Sequence, residues 1–180
     1  MIDRVPEPGR PYLVLIGPPA AGKTRLGKRI ARILGAPFID TDRRIVARYG
    51  PIAQIFGNHG ERHFRAIERA EVTKALGERA VVALGGGAII DPLTQADLAD
   101  HRVALITVSP DVVAARIAGK ERPLVSGIDT WSNLVASRLE IYERLATRTW
   151  DTSHRPIDQI AAEIAEWVAE ESPNTEEKKS

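Results

Sequence analysis

The sequence predicts an α/β fold, a parallel sheet in the middle of three layers with helices on both faces. Two observations carry this. Short apolar, partly β-branched runs alternate along the chain with longer stretches of helical periodicity, the order that builds a parallel sheet. The first and third runs each end directly on glycine, as strands do when they feed a loop at the top of such a sheet. No repeat and no internal linker interrupts the pattern, so residues 1–171 form one domain and 172–180 a polar, disordered tail.

Tyr12 to Ile16 is the first strand, buried and closed by Gly17. Lys23 to Leu34 is a helix with Leu26, Ile30, Ile33 and Leu34 on one face, and Gly35 stops it. Phe38 to Asp40 is the second strand. Ile45 to Tyr49 is helical until Gly50-Pro51 breaks it. His63 to Leu76 is a long helix, and Val81 to Leu84 a third strand ended by Gly85-Gly86-Gly87. Val103 to Val108 is the fourth strand. Ser109 then caps a helix over Val112 to Ala118, with Pro110 at its first position. The polar stretch from about 119 to 130, with Pro123 and Gly127, is a mobile lid. Trp131 to Leu145 is a helix, and Thr149 to Thr152 a short fifth strand. Ile157 to Ala169 closes the chain with Ile160, Ile164 and either Trp167 or Val168 facing inward.

The bulk numbers narrow the function. The chain has 180 residues, 43% apolar and 27% charged, with a formal net charge of +1. That balance lacks the basic excess of a nucleic-acid binder. The basic residues are nonetheless mostly arginine, the side chain suited to forked contacts with carboxylate and phosphate. There is no cysteine, hence no disulfide, thiolate metal site or thiol nucleophile. No apolar run reaches membrane-span length, and Met1 to Arg10 has no signal-peptide core, so the expectation is a cytoplasmic protein without a membrane partner. His59, His63, His101 and His154 do not group into a metal site, and Trp131, Trp150 and Trp167 read as packing residues.

The chemistry concentrates in a few segments. Gly17-Pro18-Pro19-Ala20-Ala21-Gly22-Lys23-Thr24 fits the nucleotide phosphate loop, with an apolar strand before it and an amphipathic helix after it. Backbone N–H groups and the helix start favour an anion there. Lys23 supplies charge to the β and γ phosphates, and the Thr24 hydroxyl suits Mg²⁺. Asp40-Thr41-Asp42 follows the second strand and should face the same crevice. Asp40 there either serves a metal or caps the next helix; Asp42 can accept a hydroxyl proton. Arg65 and Glu68 are neighbours on one helix face. They form either a surface ion pair or a guanidinium held, by Glu68 or Glu61, to receive a carboxylate. The triple glycine lets backbone approach a ligand closely. Arg122, with Pro123 and Leu124, sits where a closing lid would bring charge to a transferring phosphate.

Taken together, the phosphate loop, Asp40-Thr41-Asp42, Gly60-Glu61 with Phe64-Arg65 and Glu68, Leu84 to Ala88, Arg122-Pro123-Leu124, and Arg138 with Tyr142 and Ala146 resemble the shikimate kinase family from about Tyr12 to Ile164. The resemblance implies a P-loop kinase fold of five parallel strands in the order 2-3-1-4-5, and transfer of the ATP γ-phosphoryl group to the 3-hydroxyl of shikimate with Mg²⁺. By position it implies that Gly17, Ala20, Ala21, Gly22, Lys23, Thr24 and Arg25 hold the nucleotide, with Arg116 and Arg155 flanking adenine. Thr24 and Asp40 would serve the metal. Asp42 would take the substrate hydroxyl as base, Arg65 and Arg138 the carboxylate, and Gly86 the substrate by its backbone. Lys23 and Arg122 would neutralise phosphate, and the protein would act as a monomer. Ala20 departs from the family, which usually has a glycine there; at positive φ the alanine costs about 1 kcal/mol or more. Ser126 to Asn133 aligns with no family feature. The nearest rival is a gluconokinase-like kinase. A non-catalytic nucleotide-binding regulator is the rival from another class, and the presence of Lys23, Thr24, Asp40 and Asp42 argues against it.

Overall fold

The computed structural model describes residues 9–117 and 127–170. Its centre is a five-stranded parallel sheet in the order β2-β3-β1-β4-β5. The strands are β1 (Leu13–Ile16), β2 (Phe38–Asp40), β3 (Val81–Ala83), β4 (Val103–Thr107) and β5 (Arg148–Asp151). In register, Leu15 stands beside Ala83 on one side and Ala104 on the other, so β1 is the middle strand. The helices are α1 (Lys23–Leu34), α2 (Thr41–Tyr49), α3 (Ile52–His59), α4 (Glu61–Ala75), α5 (Pro92–Leu98), α6 (Pro110–Ile117), α7 (Ile128–Leu145) and α8 (Ile157–Glu170). A 3-10 turn at Ala88–Ile90 precedes α5.

The pleat of β1 divides the core in two. Leu13 and Leu15 point to a layer filled by Leu26 and Ile30 of α1 and Ile160 and Ile164 of α8. Val14 and Ile16 point to the other layer, with Val72 of α4, Leu98 of α5 and Tyr142 of α7. Every β1 side chain is buried, which is why this strand reads as a continuous apolar run rather than an alternation. A smaller cluster, Ile45, Ile55 and Phe64, packs α2, α3 and α4 together beside the sheet. No described helix is long and apolar enough to cross a membrane.

Four local expectations change. α2 begins at Thr41 rather than Ile45, because Asp40 Oδ1 accepts from the Arg43 N–H and caps it there. α3 and α5 are additional helices. Ile128, Asp129 and Thr130 form the first turn of α7 rather than part of a lid. The rest of that polar segment, with Arg122, and the 172–180 tail lie outside the described residues.

Candidate active site

The C-terminal ends of β1, β2 and β3 bring three sequence motifs to one rim of the sheet, where the central strand's two neighbours connect in opposite directions. The loop after β1 wraps into α1, whose cap residue Gly22 has φ 89°. Ala20 has φ 65°, the left-handed conformation that alanine adopts at a cost. Three side chains from elsewhere hold this loop. Trp131 Nε1 donates to Pro19 O at 2.8 Å, Arg116 Nη1 to Ala20 O at 2.7 Å, and the Thr152 hydroxyl to Ala21 O at 2.8 Å. Lys23 Nζ folds back to the carbonyls of Gly17 and Pro18, at 2.6 and 2.9 Å. Burial lowers its pKa from 10.5 to about 8; Asp42 and Asp40 act against the shift, and Arg138 adds to it. Arg25 is exposed on the first turn of α1.

Asp40 uses its two carboxylate oxygens separately. Oδ1 caps α2, while Oδ2 accepts from Thr24 Oγ1 at 2.5 Å. Thr41 is fully buried, and its hydroxyl accepts from the Gly85 N–H at 3.2 Å, which ties the Asp40-Thr41-Asp42 turn to the triple glycine. Sequence reasoning passed over Thr41; its position between two aspartates after a strand was the signal. Asp42 lies against Gly85 so closely that a Cβ there would overlap its carboxylate. Its pKa is raised by burial first and by Asp40 next, with Lys23 and Arg65 pulling the other way.

Arg65 comes up beside the same glycines: a Cβ on Gly87 would meet its Nη2 at 2.9 Å. Its Nη1 donates to the buried Glu68 at 2.7 Å, and its Nη2 lies 3.5 Å from the exposed Glu61. Glu68 is therefore the main holder. Burial raises its pKa, and the Arg65 hydrogen bond and charge oppose the rise; Arg138 is close enough to contribute too. Tyr142 is buried and donates its hydroxyl proton to Gly86 O at 2.6 Å. Burial raises its pKa too, against the charge of Arg138 and a hydrogen bond from it.

Arg138 thus acts electrostatically on Lys23, Glu68 and Tyr142, and Arg65 on Asp42. The phosphate loop, the paired aspartates, the triple glycine and the two arginines converge at one rim of the sheet. Arg116 joins them through the loop, while Arg155 engages Glu163 of α8, Nη1 to Oε2 at 3.1 Å. Two grooves, of about 650 and 640 Å³, lie at the N-terminal ends of the strands around His101 and contain none of these groups.

A phosphate loop between a central parallel strand and a helix, on a sheet of this order, defines a P-loop kinase. The comparisons name the branch. The shikimate kinase family model matches residues 19–169. Shikimate kinase of Thermobifida fusca (strain YX) is 45% identical over 170 residues, covering 91% of this chain and 96% of that protein. The one from Salinispora arenicola (strain CNS-205) is 42% identical over 164 residues, 88% of this chain and 98% of that one. In structure, shikimate kinase from Acinetobacter baumannii in complex with shikimate superposes with a TM-score of 0.81 at 27% identity, covering 93% of this chain and 95% of that one. This chain belongs to the shikimate kinase family, enzymes that transfer phosphate to an alcohol group.

Proposed function

We propose that this chain transfers the γ-phosphoryl group of ATP to the 3-hydroxyl of shikimate, as a step of chorismate and aromatic amino-acid synthesis. The observation that carries the reading is proximity: the phosphate lysine, Lys23, and the guanidinium pair, Arg65 and Arg138, all act electrostatically within the surroundings of Asp42. Gluconate carries a carboxylate as well, so what favours shikimate over a gluconokinase-like chemistry is the match to the shikimate kinase family over residues 19–169.

The donor is held by the loop from Gly17 to Thr24, with Arg116 tensioning the loop at Ala20 and Arg25 at the helix start. Lys23 exchanges its carbonyl partners for the β and γ phosphates. Arg122 and Arg155 are proposed as further nucleotide contacts. The donor set at Thr24 and Asp40 is two oxygens 2.5 Å apart, and the described residues hold no group of three or more His, Cys, Asp or Glu side chains. Such a set suits Mg²⁺, which takes few protein oxygens and completes its shell with phosphate and water. When bound there, Mg²⁺ neutralises charge that develops on the phosphates.

On the acceptor side, Arg65, braced by Glu68, and Arg138, beside Tyr142, take the carboxylate. The backbone at Gly86 lies along the ring. Asp42, with a raised pKa and poised against Gly85, accepts the hydroxyl proton as the oxygen attacks in line. We also propose that the chain acts as a monomer and that residues 1–171 act as one domain, in the cytoplasm. The test is initial ADP release with shikimate and with gluconate. Shikimate should be turned over far faster, and equal or greater gluconate turnover would overturn the assignment.

A further inference from the structure

Helix α7 aligns three side chains on one stripe that meets the candidate site. Trp131, Arg138 and Tyr142 stand at i, i+7 and i+11, so they project within about 40° of one another along a rise of about 16 Å. The proposed activity uses only the middle one. A buried indole or phenol normally satisfies its polar atom, so which partner it takes is informative. Trp131, 2% exposed, donates to the carbonyl of Pro19 in the phosphate loop. Tyr142, 1% exposed, donates to the carbonyl of Gly86 in the triple glycine and lies within the electrostatic reach of Arg138. The two carbonyls belong to the two loops that hold donor and acceptor. Those loops also touch: a Cβ on Gly86 would stand 3.1 Å from Pro19 Cδ. Trp131, Pro19, Gly86 and Tyr142 therefore close a ring of contacts with α7 as its rigid side.

We propose that Trp131 and Tyr142 are positioning residues for phosphoryl transfer: Trp131 fixes the phosphate loop through Pro19, and Tyr142 fixes the Gly86 peptide together with Arg138. The helix between them then sets the distance from phosphate donor to acid pocket. That distance matters because a misplacement of about 1 Å costs on the order of a hundredfold in rate. The inference rests on the shikimate kinase reading above.

The test is the pair Tyr142→Phe and Trp131→Phe, each of which keeps a buried aromatic ring and deletes one donor. KM for shikimate and for ATP, ADP binding by titration, and the thermal midpoint are measured for each. Tyr142→Phe should raise the shikimate KM about five- to tenfold and leave the ATP KM within about twofold. Trp131→Phe should do the reverse, weakening ATP and ADP by a similar factor. Equal rises in both KM values for each variant, or a lower midpoint with both KM values unchanged, would mean that the residues only pack and would overturn the proposal. If Trp131→Phe fails to fold, Tyr142→Phe decides alone, since it removes a single oxygen. No shikimate turnover by the unaltered chain defeats the activity reading; unchanged KM values in variants of an active chain defeat the positioning role alone.

Discussion

Replacing Glu68 with glutamine isolates the part of the site that receives the acid. Glu68 accepts from Arg65 Nη1 at 2.7 Å with its side chain 5% exposed, while Glu61 stands 3.5 Å from Nη2 with 67% exposed. A hydrogen bond between charged groups contributes ~1.5–3 kcal/mol, and its neutral counterpart about half of that. Glutamine keeps the shape and one acceptor oxygen, so Arg65 loses ~1–1.5 kcal/mol of restraint. That should appear as a rise of about five- to tenfold in the shikimate KM, with the ATP KM unchanged. Burial disfavours the Glu68 charge, so removing it should spare fold stability. Glu61→Gln, a solvent-screened partner, should change the shikimate KM by about twofold or less. A coupled ADP-release assay over both substrates reads all four values. An equal rise in both KM values for Glu68→Gln, or a larger effect from Glu61→Gln, would refute the claim that Glu68 orients the acid-binding arginine.

Asp42→Asn should lower kcat by about 10²–10⁴-fold while ATP affinity moves far less; an unchanged kcat removes Asp42 as the base. Nucleotide affinity should fall as pH rises through about 8, where the free Lys23 loses its proton, and Lys23→Arg should flatten that dependence. The same shift means the unfolded chain binds more protons between about 8 and 10.5, so Lys23's contribution to stability rises with pH across that window; titrations by calorimetry and denaturant read the two effects. Ala20→Gly relieves a left-handed alanine at ~1–2 kcal/mol but restores ~0.4–1 kcal/mol of unfolded-chain entropy. The net gain of about 0.5–1 kcal/mol should be visible in urea unfolding, and a loss of stability would mean that the loop is not strained there.

The inner strands β1, β3 and β4 were legible because they are buried on both faces and therefore continuous in apolar residues. Helix α1 was legible for a complementary reason: three of its four predicted inward residues sit on a single stripe against the sheet, though Ile33 stays 55% exposed. The two missed helices are short, and α3 buries only Ile55 fully, so neither shows a strong period. α5 did carry a signal. Asp91 before Pro92 is the same cap-and-proline pairing read at Ser109-Pro110, and Asp91 Oδ1 accepts from both Leu93 and Thr94 N–H groups.

Within the site, motif residues were readable because their chemistry needs particular side chains at fixed offsets. The side chains that hold the loops were not. Trp131 and Thr152 reach the phosphate loop from more than a hundred residues away, so their role depends on tertiary contact that local pattern does not encode. The choice between Glu68 and Glu61 was likewise invisible, since both lie one helical turn from Arg65 and only burial separates them. Of the two readings of Asp40, the structure bears out the helix cap, with Oδ1 on the Arg43 N–H, while Oδ2 accepts from Thr24.

The most direct test is a crystal structure of this chain soaked with ADP and shikimate together. One cavity should contain both, with the β-phosphate on the Gly22 to Thr24 amides, the acid's carboxylate between Arg65 and Arg138, and its 3-hydroxyl facing Asp42. A carboxylate bound away from both arginines, or the two ligands in separate clefts, would contradict the account.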